Sequence, residues 1–231
     1  MREIVFDTET TGLDNQTDRI IEIGCVELDN QFPTGRSLHL FINPDGRKVH
    51  PDALAVHGIT DAFLADKPVF AAVADEIAAF FDGARYVAHN ATFDMGFLNA
   101  EYRRLGRPPV EADLVIDTLA LARRRHPMGP NSLDALCRRY GIDNAHRTKH
   151  GALLDAELLT DVYIEMLGGR QAALGLSVTE TVSVSLSTEM EVVEIGARAT
   201  PLPQRLSPAE LEAHAALIDR IGGGAIWRKH V

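Results

Sequence analysis

Three short segments of the chain carry residues that could bind metal ions and transfer protons. They read DTETTG, HNATFD and HGALLD, and they contain Asp7, Glu9, Asp94, His150 and Asp155. Carboxylate oxygens are the ligands that Mg²⁺ and Mn²⁺ prefer. An imidazole with an ordinary pKa of about 6.5 can accept a proton near neutral pH. Because two divalent cations can neutralise a phosphodiester and activate water, we interpret this set as a hydrolase site with His150 as the general base.

The first segment follows an apolar, β-favouring stretch that predicts a strand over residues 3–7. Residues two apart in a strand share a face, so Asp7, at the end of this strand, and Glu9 should point the same way. Gly12 permits a tight turn after the strand, which would expose backbone N–H groups. If this segment stood alone, a solvated turn would explain its acids equally well.

The other two acids are predicted to lie near the starts of helices. Thr92 is suited to cap the helix that follows it, which puts Asp94 in the first turn of that helix. His150 directly precedes a second helix, over residues 152–167, which carries Asp155. Taken singly, Asp94 would merely stabilise a helix start, and a lone histidine before a helix is an ordinary loop residue. We assign that ordinary role to His39, His126, His146, His214 and His230.

The order of the elements predicts an α/β fold. Strands over residues 3–7, 20–28 and 37–42 come first, with a polar hairpin turn over residues 29–36. Strands and helices alternate after them. Antiparallel strands followed by such alternation are typical of a mixed sheet flanked by helices.

Taken together, the three segments resemble the DEDD exonuclease superfamily, in the subgroup whose third motif contains a histidine. The resemblance implies a ribonuclease-H-like fold, with a mixed five-stranded sheet flanked by helices. It also implies two bound divalent cations, Mg²⁺ or Mn²⁺. Asp7, Glu9 and Asp155 would bind these cations directly, and Asp94 would bind directly or through water. His150 would deprotonate the attacking water.

The resemblance covers about residues 2–167 and extends to contacts with the substrate. His57 lies in VHGIT, which this family shares, and would line the nucleotide pocket there. By its sequence alone it is a surface histidine before a turn. Phe93 fits two roles, a core residue by its helical spacing or a base-stacking wedge by resemblance, and Asn90 would orient its loop. The full set of expected substrate-binding residues is Asp7, Glu9, Thr10, Thr11, Gly12, His57, Asn90, Phe93 and Asp155.

The composition of the chain limits its class and its independent affinity for DNA. Its 231 residues are 45% hydrophobic, which suits one domain with an appendage, and no apolar run approaches the length of a membrane span. A strand at the very start argues against a signal peptide. Cys25 and Cys137 are predicted core residues in a reducing cytoplasm, not a disulfide. The formal net charge of −10 predicts weak binding to DNA without a partner.

The chain changes character after the last predicted helix of this region. We predict an exonuclease domain over residues 1–176, a flexible linker over 177–205 and a partner-binding segment over 206–231. The linker lacks aromatic residues, although VSVSL within it could form a strand. SPAE forms a capping box for a helix with an apolar stripe, which favours docking on a partner over packing on its own domain. The expected docking residues are Leu211, Leu217, Ile218, Ile221 and Trp227.

Two partners follow from likeness in this C-terminal region. Gln171, Leu174 and Leu176 resemble a short sliding-clamp binding motif. The whole organisation resembles the proofreading subunits of bacterial DNA polymerase III. That likeness implies a 3′→5′ exonuclease acting on single-stranded 3′ ends of DNA, with residues 206–231 bound to the polymerase alpha subunit.

Two alternative functions are weighed against this one. A stand-alone RNA 3′-exonuclease of the same superfamily would share the three segments but would leave residues 177–231 without a role. A non-catalytic bridging subunit would have no need for four intact acids and an intact histidine.

Overall fold

Five strands form one mixed sheet, as the order of the elements predicted for the sheet and the family resemblance implied for the number of strands. In the computed structural model the strand order is β3-β2-β1-β4-β5. β1 pairs antiparallel with β2 and parallel with β4, β2 pairs antiparallel with β3, and β4 pairs parallel with β5. The strands are β1 (Arg2–Thr10), β2 (Ile20–Asp29), β3 (Phe32–Phe41), β4 (Arg85–Ala88) and β5 (Val115–Asp117).

The structure describes residues 1–145, 147, 149–169 and 207–222. These belong to two units, one within residues 1–178 and one within 179–231. No helix in the described part of the chain is long and apolar enough to span a membrane. The helices described in the first unit are α1 (Pro51–His57), α2 (Asp61–Leu64), α3 (Phe70–Phe81), α4 (Ala91–Arg104), α5 (Thr118–Arg125), α6 (Leu133–Tyr140) and α7 (Ala152–Leu167).

Strand β1 is longer than predicted, which changes the setting of the acids. The predicted strand ended at Asp7, but β1 continues because β2 keeps pairing with it, Glu9 opposite Glu22 and Thr10 opposite Ile20. Asp7 and Glu9 are therefore strand residues, and the shared face that their spacing predicted is enforced by the sheet.

The hairpin between β2 and β3 also differs from the prediction of a turn over residues 29–36. Only Asn30 and Gln31 form the turn, and both take positive φ angles, 50° and 70°. A two-residue turn of left-handed residues matches the twist of a hairpin. Pro33 then lies within β3, which is an edge strand, where the N–H that proline lacks is not needed for pairing.

The two faces of β1 pack against different helices. Ile4 and Phe6 lie in the hydrophobic cluster formed with α3 and α4, whereas Val5 packs with residues of α7. The alternation continues beyond Val5, so Asp7 and Glu9 share the face of α7. Both cysteines are buried with free thiols, as predicted for core residues.

Helix α8 (Pro208–Ile221) is the element described in the second unit. The Ser207 side chain accepts from the Glu210 N–H, and the Glu210 side chain accepts from the Ser207 N–H, which is the predicted capping box. Three residues of the predicted apolar stripe are exposed within the described residues, namely Leu211, Leu217 and Ile221.

Several C-terminal predictions lie outside the described residues. These are the linker over residues 177–205, the clamp-motif residues Gln171, Leu174 and Leu176, and the docking residue Trp227. The division of the chain at residues 176 and 205 therefore stays a prediction. So does docking through the stripe of α8, including Ile218.

Candidate active site

The edge of β1 is open where its acids lie. β4 pairs with β1 as far as Val5 opposite Val87, and it ends at Ala88. Beyond Val5, β1 keeps β2 as its neighbour on one side only. The chain turns from β4 into α4, and the first turn of α4 takes the place that a longer β4 would occupy.

Asp94 is fastened to this open edge. Its Oδ1 accepts hydrogen bonds from the backbone N–H of Thr8 at 3.1 Å and from Thr8 Oγ1 at 2.7 Å. The prediction that Thr92 caps α4 is wrong. Asn90 takes the cap position in the left-handed conformation, with φ 66°, and the helix already begins at Ala91. Asp94 still lies in the first turn, as predicted, and it is buried.

Asp155 reaches the site because α7 packs closely on the sheet. β2 presents Gly24 opposite Asp7. A Cβ at Gly24 would lie 2.1 Å from the backbone nitrogen of Leu153 and 2.3 Å from the carbonyl carbon of Ala152. No side chain fits there, so the first turn of α7 rests on the backbone of β2. Asp155 in that turn comes beside the acids of β1.

Replacing Gly24 with alanine is expected to push the first turn of α7 off the sheet. Overpacking a close contact of this kind costs about 1–3 kcal/mol of unfolding free energy. Denaturant unfolding measures this loss, and a calorimetric titration with Mn²⁺ should show weaker binding because Asp155 moves. The matched control is Gly96→Ala, whose Cβ would meet only the side-chain amide of Asn15, at 2.6 Å. A Gly24→Ala protein as stable as the control would contradict this account of α7 packing.

His150 lies just before α7, at the mouth of the site. Its Nδ1 is 3.2 Å from Asp155 Oδ2, and its side chain is 47% exposed. Its backbone N–H donates to the carbonyl of Val56 at 3.4 Å. Candidate ligand atoms of Glu9, His150 and Asp155 all lie within 4.8 Å of one another. An exposed imidazole beside buried carboxylates can exchange protons with a bound water.

Arg147 was not among the predicted site residues, yet it contacts two of them. Its Nε donates to Asp155 Oδ1 at 2.5 Å, and its Nη2 donates to Asp155 Oδ2 at 2.7 Å. Nη2 also donates to His150 Nδ1 at 2.7 Å, and Nη1 donates to Asp134 Oδ1 at 2.8 Å. The Arg147 side chain is only 8% exposed.

Burial and mutual repulsion raise the pKa values of the acids. Burial, followed by the charges of Asp94, Glu9 and Asp155, holds the pKa of Asp7 well above its usual range. Burial and the charge of Glu22 raise the pKa of Glu9 to about 8. Burial raises the pKa of Asp94 to about 7. Ionised carboxylates at these positions need more positive charge than Arg147 supplies.

The donor set fits divalent cations. Glu9 and Asp155 offer ligand atoms close together, and Asp7 and Asp94 lie near enough for their charges to act on these acids. Hard oxygen ligands of this kind suit Mg²⁺ or Mn²⁺ rather than a soft metal. Glu22 lies opposite Glu9 and adds a further buried carboxylate, which pairs with His39 Nε2 at 2.7 Å. Buried charges of one sign require partners of the other sign, so the repulsion among these acids marks the place of cations.

The turn after β1 is held by internal hydrogen bonds. Thr11 is fully buried, its Oγ1 bonds to Asp18 Oδ1 at 3.1 Å, and its N–H donates to the carbonyl of Arg19 at 2.9 Å. Thr10 Oγ1 donates to the carbonyl of Gly12 at 2.6 Å. The prediction of exposed N–H groups is therefore wrong for Thr11, because β2 and the loop before it cover this turn.

His57 is buried at the end of α1, where its sequence alone indicated a surface residue. Its Nδ1 accepts from the N–H of Ile59 at 2.9 Å. Its Nε2 has no hydrogen-bond partner among the described residues. Burial lowers the pKa of His57, the backbone of Thr10 opposes this shift, and the charge of Lys149 adds to it. Because Nδ1 accepts, a neutral ring carries its proton on Nε2, which lies near the backbone of Thr10 but makes no hydrogen bond of normal geometry among the described residues.

Phe93 and Asn90 flank the start of α4. The Phe93 ring lies 4.9 Å from the ring of Phe97 and packs against the main hydrophobic cluster, so its core role is present. It is only partly buried, which leaves part of the ring accessible. The N–H of Asn90 donates to Asp117 Oδ1 at 3.1 Å, which ties this loop to β5. The stacking role of Phe93 stays a prediction.

A cavity of about 420 Å³ opens beside the turn after β1. Its lining includes Gly12, Leu13, His50 and Val56. Because Val56 accepts from the His150 N–H, one wall of the cavity contacts the backbone of His150. A larger cavity of about 670 Å³ lies near Arg2, at the other end of β1, and its lining includes none of the site residues.

Two residues of the site, Gly24 and Glu22, could be found only weakly from the sequence, and the contact of Arg147 could not be found at all. Gly24 interrupts an apolar strand, and an isolated glycine in a strand marks a close approach of backbone. Glu22 lies two residues before Gly24 on the same strand. It neighbours Glu9 only because of the register between β1 and β2. Arg147 carries no local signal for a contact with Asp155.

Comparisons with known proteins agree with this site. The chain matches the family model of the exonucleases named RNase_T over residues 4–163. A DNA polymerase III subunit epsilon from Escherichia coli (strain K12) is 44% identical, over 98% of this chain and 97% of that protein. The structure of exonuclease X in complex with 5′ overhanging duplex DNA is 31% identical, with a TM-score of 0.55, over 72% of this chain and 90% of that chain.

One more solved structure bears on the fold alone. The nuclease domain of 3′hExo, a DEDDh family member, is 16% identical, with a TM-score of 0.62, over 72% of this chain and 91% of that chain. This likeness agrees with the predicted ribonuclease-H-like architecture. The chain belongs to the RNase_T exonuclease family and, within it, to the DNA polymerase III epsilon subunits.

Proposed function

We propose that this protein removes mispaired nucleotides from the 3′ end of DNA, as the proofreading exonuclease of a bacterial replicative polymerase in the cytoplasm. The observation that carries the proposal is the meeting of carboxylates from β1, α4 and α7 beside one half-exposed imidazole. Membership of the epsilon subunits supports DNA as the substrate. The relatives align over nearly the whole chain, which a stand-alone RNA exonuclease would not explain.

We assign the cation ligands as the sequence predicted. Asp7, Glu9 and Asp155 would bind two divalent cations, Mg²⁺ or Mn²⁺, and Asp94 would bind directly or through water. When bound, the cations would neutralise the phosphodiester and stabilise the developing charge. His150 would take the proton of the attacking water as its oxygen bonds to phosphorus and the bond to the 3′ oxygen breaks. The products would be a 5′-mononucleotide and a shortened strand.

The terminal nucleotide would lie between the carboxylates and the cavity of about 420 Å³. Leu13 and Val56 are exposed apolar residues of its lining and would contact the base. The unpaired Nε2–H of His57 would donate to a nucleotide oxygen. Phe93 would stack on a base, an interaction of about 1–3 kcal/mol that needs no particular sequence. Such contacts favour a frayed, single-stranded end.

Weak intrinsic affinity for DNA fits a subunit that a polymerase carries. The net charge of −10 opposes binding to phosphates. A helix of 14 residues such as α8 has little stability by itself and gains it by burying an apolar face. Its exposed leucines and isoleucine support docking on the polymerase alpha subunit. Docking would hold the nuclease at a high effective concentration near the primer end.

Replacing Leu217 with aspartate in the full chain is expected to weaken binding to the alpha subunit about tenfold or more. The reason is that an unpaired charge would be buried in an apolar interface. Surface plasmon resonance measures the affinity, and nuclease activity on free oligonucleotides should stay unchanged. The control is Glu212→Ala on the same helix. Unchanged affinity of the Leu217→Asp protein would remove α8 from the docking interface.

Digestion of labelled oligonucleotides tests the function itself. Single-stranded DNA and RNA of one sequence, labelled at the 5′ end, are incubated with the protein and Mg²⁺. Faster shortening of DNA, with faster removal of a mismatched than a matched primer terminus, is the expected result. Faster shortening of RNA would instead identify an RNA exonuclease. No shortening of either would indicate a non-catalytic bridging subunit.

A further inference from the structure

One guanidinium joins the two functional parts of the site. Arg147 binds both oxygens of Asp155, a proposed cation ligand, and Nδ1 of His150, the proposed base. A fork of two parallel hydrogen bonds is the strongest arrangement between arginine and a carboxylate. The fork is almost fully buried, so water weakens it little.

The fork opposes binding of a cation at Asp155. Both oxygens of this carboxylate already accept from positive donors at 2.5 and 2.7 Å. A divalent cation on the same carboxylate would face the charge of the guanidinium at short range in a poorly solvated site. Arg147 and the cation therefore compete for one ligand.

The same guanidinium blocks His150 as a proton acceptor. A guanidinium has donors only, so Nδ1 must contribute its lone pair to the bond of 2.7 Å with Arg147 Nη2. While this bond holds, the lone pair of Nδ1 is not available to the attacking water. Nη2 also lies 3.4 Å from Nε2, so the guanidinium lies against both ring nitrogens.

Asp134 already binds the same guanidinium at another of its nitrogens. It lies in the first turn of α6, and its Oδ1 accepts from Arg147 Nη1 at 2.8 Å. Its side chain is 49% exposed, so water solvates this carboxylate and its ion pair with Arg147 forms whether or not cations are bound. Asn144 Nδ2 also donates to Asp134 Oδ1, at 3.0 Å, and steadies it. A guanidinium released from Asp155 would keep this partner.

We propose that Arg147 is a positioning residue that locks the site while cations are absent. Its guanidinium occupies Asp155 and the acceptor nitrogen of His150, and it withdraws to Asp134 when Asp155 binds a cation. Cation binding and release of the base are then one event. The inference rests on the proposed cation site, and it concerns how that site is opened.

Calorimetric titration of the metal-free, full-length protein with Mn²⁺ tests the competition. Arg147→Met should tighten binding about tenfold, within the usual range for coupled sites. Arg147→Lys should tighten it nearly as much, because lysine keeps the charge but cannot form the fork. The control is Arg139→Met on α6, whose guanidinium bonds to Asn131 and Pro130 and to no site residue.

A double-mutant cycle tests the role of Asp134. Asp134→Asn should weaken Mn²⁺ binding in the wild-type background, because the displaced guanidinium loses its alternative partner. It should have little effect in the Arg147→Met background, where there is no guanidinium to displace. Equal effects in both backgrounds would mean that Asp134 acts only through its own charge, and they would overturn the proposal.

Nitrogen NMR of His150 provides a readout independent of affinity. In the metal-free protein Nδ1 should show the shift of a nitrogen that accepts a hydrogen bond. Mg²⁺ should move the Nδ1 signal, and Arg147→Met should move it without Mg²⁺. A spectrum that Arg147→Met leaves unchanged would overturn the lock.

The outcomes separate this inference from the proposed function. Suppose that Arg147→Met binds Mn²⁺ more tightly but Arg147→Lys binds it with wild-type affinity. The positive charge of Arg147 alone would then weaken cation binding, and the proposal would be overturned. No Mn²⁺ binding to any variant would overturn the cation site together with the lock. A negative result in the oligonucleotide digestion leaves both the titration and the NMR readout interpretable, because neither requires DNA.

Discussion

Replacing His150 with alanine is expected to lower kcat by about 10²–10⁴-fold, the usual contribution of a general base. The imidazole is half exposed and lies beside Asp155, so it can reach the attacking water without being part of the packed core. Its loss leaves Asp7, Glu9 and Asp94 in place. Cation binding, measured by titration with Mn²⁺, should therefore survive in the His150→Ala protein.

The control for this experiment is His126→Ala. His126 Nε2 bonds to the hydroxyl of Tyr140 at 2.7 Å and touches no site residue. Its removal should leave kcat within a few-fold of the wild type. Full activity of purified His150→Ala would remove His150 from the mechanism, whereas loss of Mn²⁺ binding in that protein would make it a ligand rather than a base.

Replacing Asp7 with asparagine is expected to have two opposite effects. Activity should fall by more than about 10²-fold, because even partners behind the metal ligands commonly cost 10–100-fold. The metal-free protein should become more stable at neutral pH. Burial and the neighbouring acids hold the pKa of Asp7 well above its usual range, so ionising this group in the folded chain costs free energy. The neutral amide avoids that cost.

The pH dependence of the metal-free wild type should have the same origin. A group whose pKa is raised by folding contributes stability below its unfolded pKa and loses it as pH rises through the folded pKa. For Glu9 this window runs from 4.5 to about 8, and for Asp94 from 3.8 to about 7. These acids should therefore lower the melting temperature in EDTA across that window, and Asp7→Asn should reduce the decline.

The difference between EDTA and Mg²⁺ isolates the site. His57 and His89 have lowered pKa values and destabilise the fold as pH falls below about 6.5, with or without cations. The melting temperature in Mg²⁺ minus that in EDTA, taken at each pH, removes the contribution of these two histidines. Stabilisation by Mg²⁺ should grow as pH rises, and Asp66→Asn, at an exposed acid, should not change it. A stabilisation that shrinks with rising pH would contradict the assignment of these acids.

Local patterns in the sequence determined much of this protein. Alternation along β1 put Asp7 and Glu9 on one face, and the sheet keeps them there. Helical spacing set the bounds of α7 at Ala152 and Leu167, as observed. The mixed sheet followed from the order of the elements. These features depend on neighbours in the chain, so residue type and period are enough to predict them.

Contacts between distant segments were decided by the tertiary structure. Thr92 had the right type for a cap, but the reversal between β4 and α4 placed Asn90 there. The end of β1 depended on its pairing with β2, and so did the burial of the turn that follows.

The packing of α7 on Gly24 and the fork between Arg147 and Asp155 also belong to the tertiary structure. A glycine is required at position 24 only because the first turn of α7, far along the chain, lies against it. Arg147 is eight residues from Asp155, too far for a local rule to pair them. Sequence period sets which way a side chain points, but which charges meet, and how far burial raises their pKa values, depends on distances that only the folded chain defines.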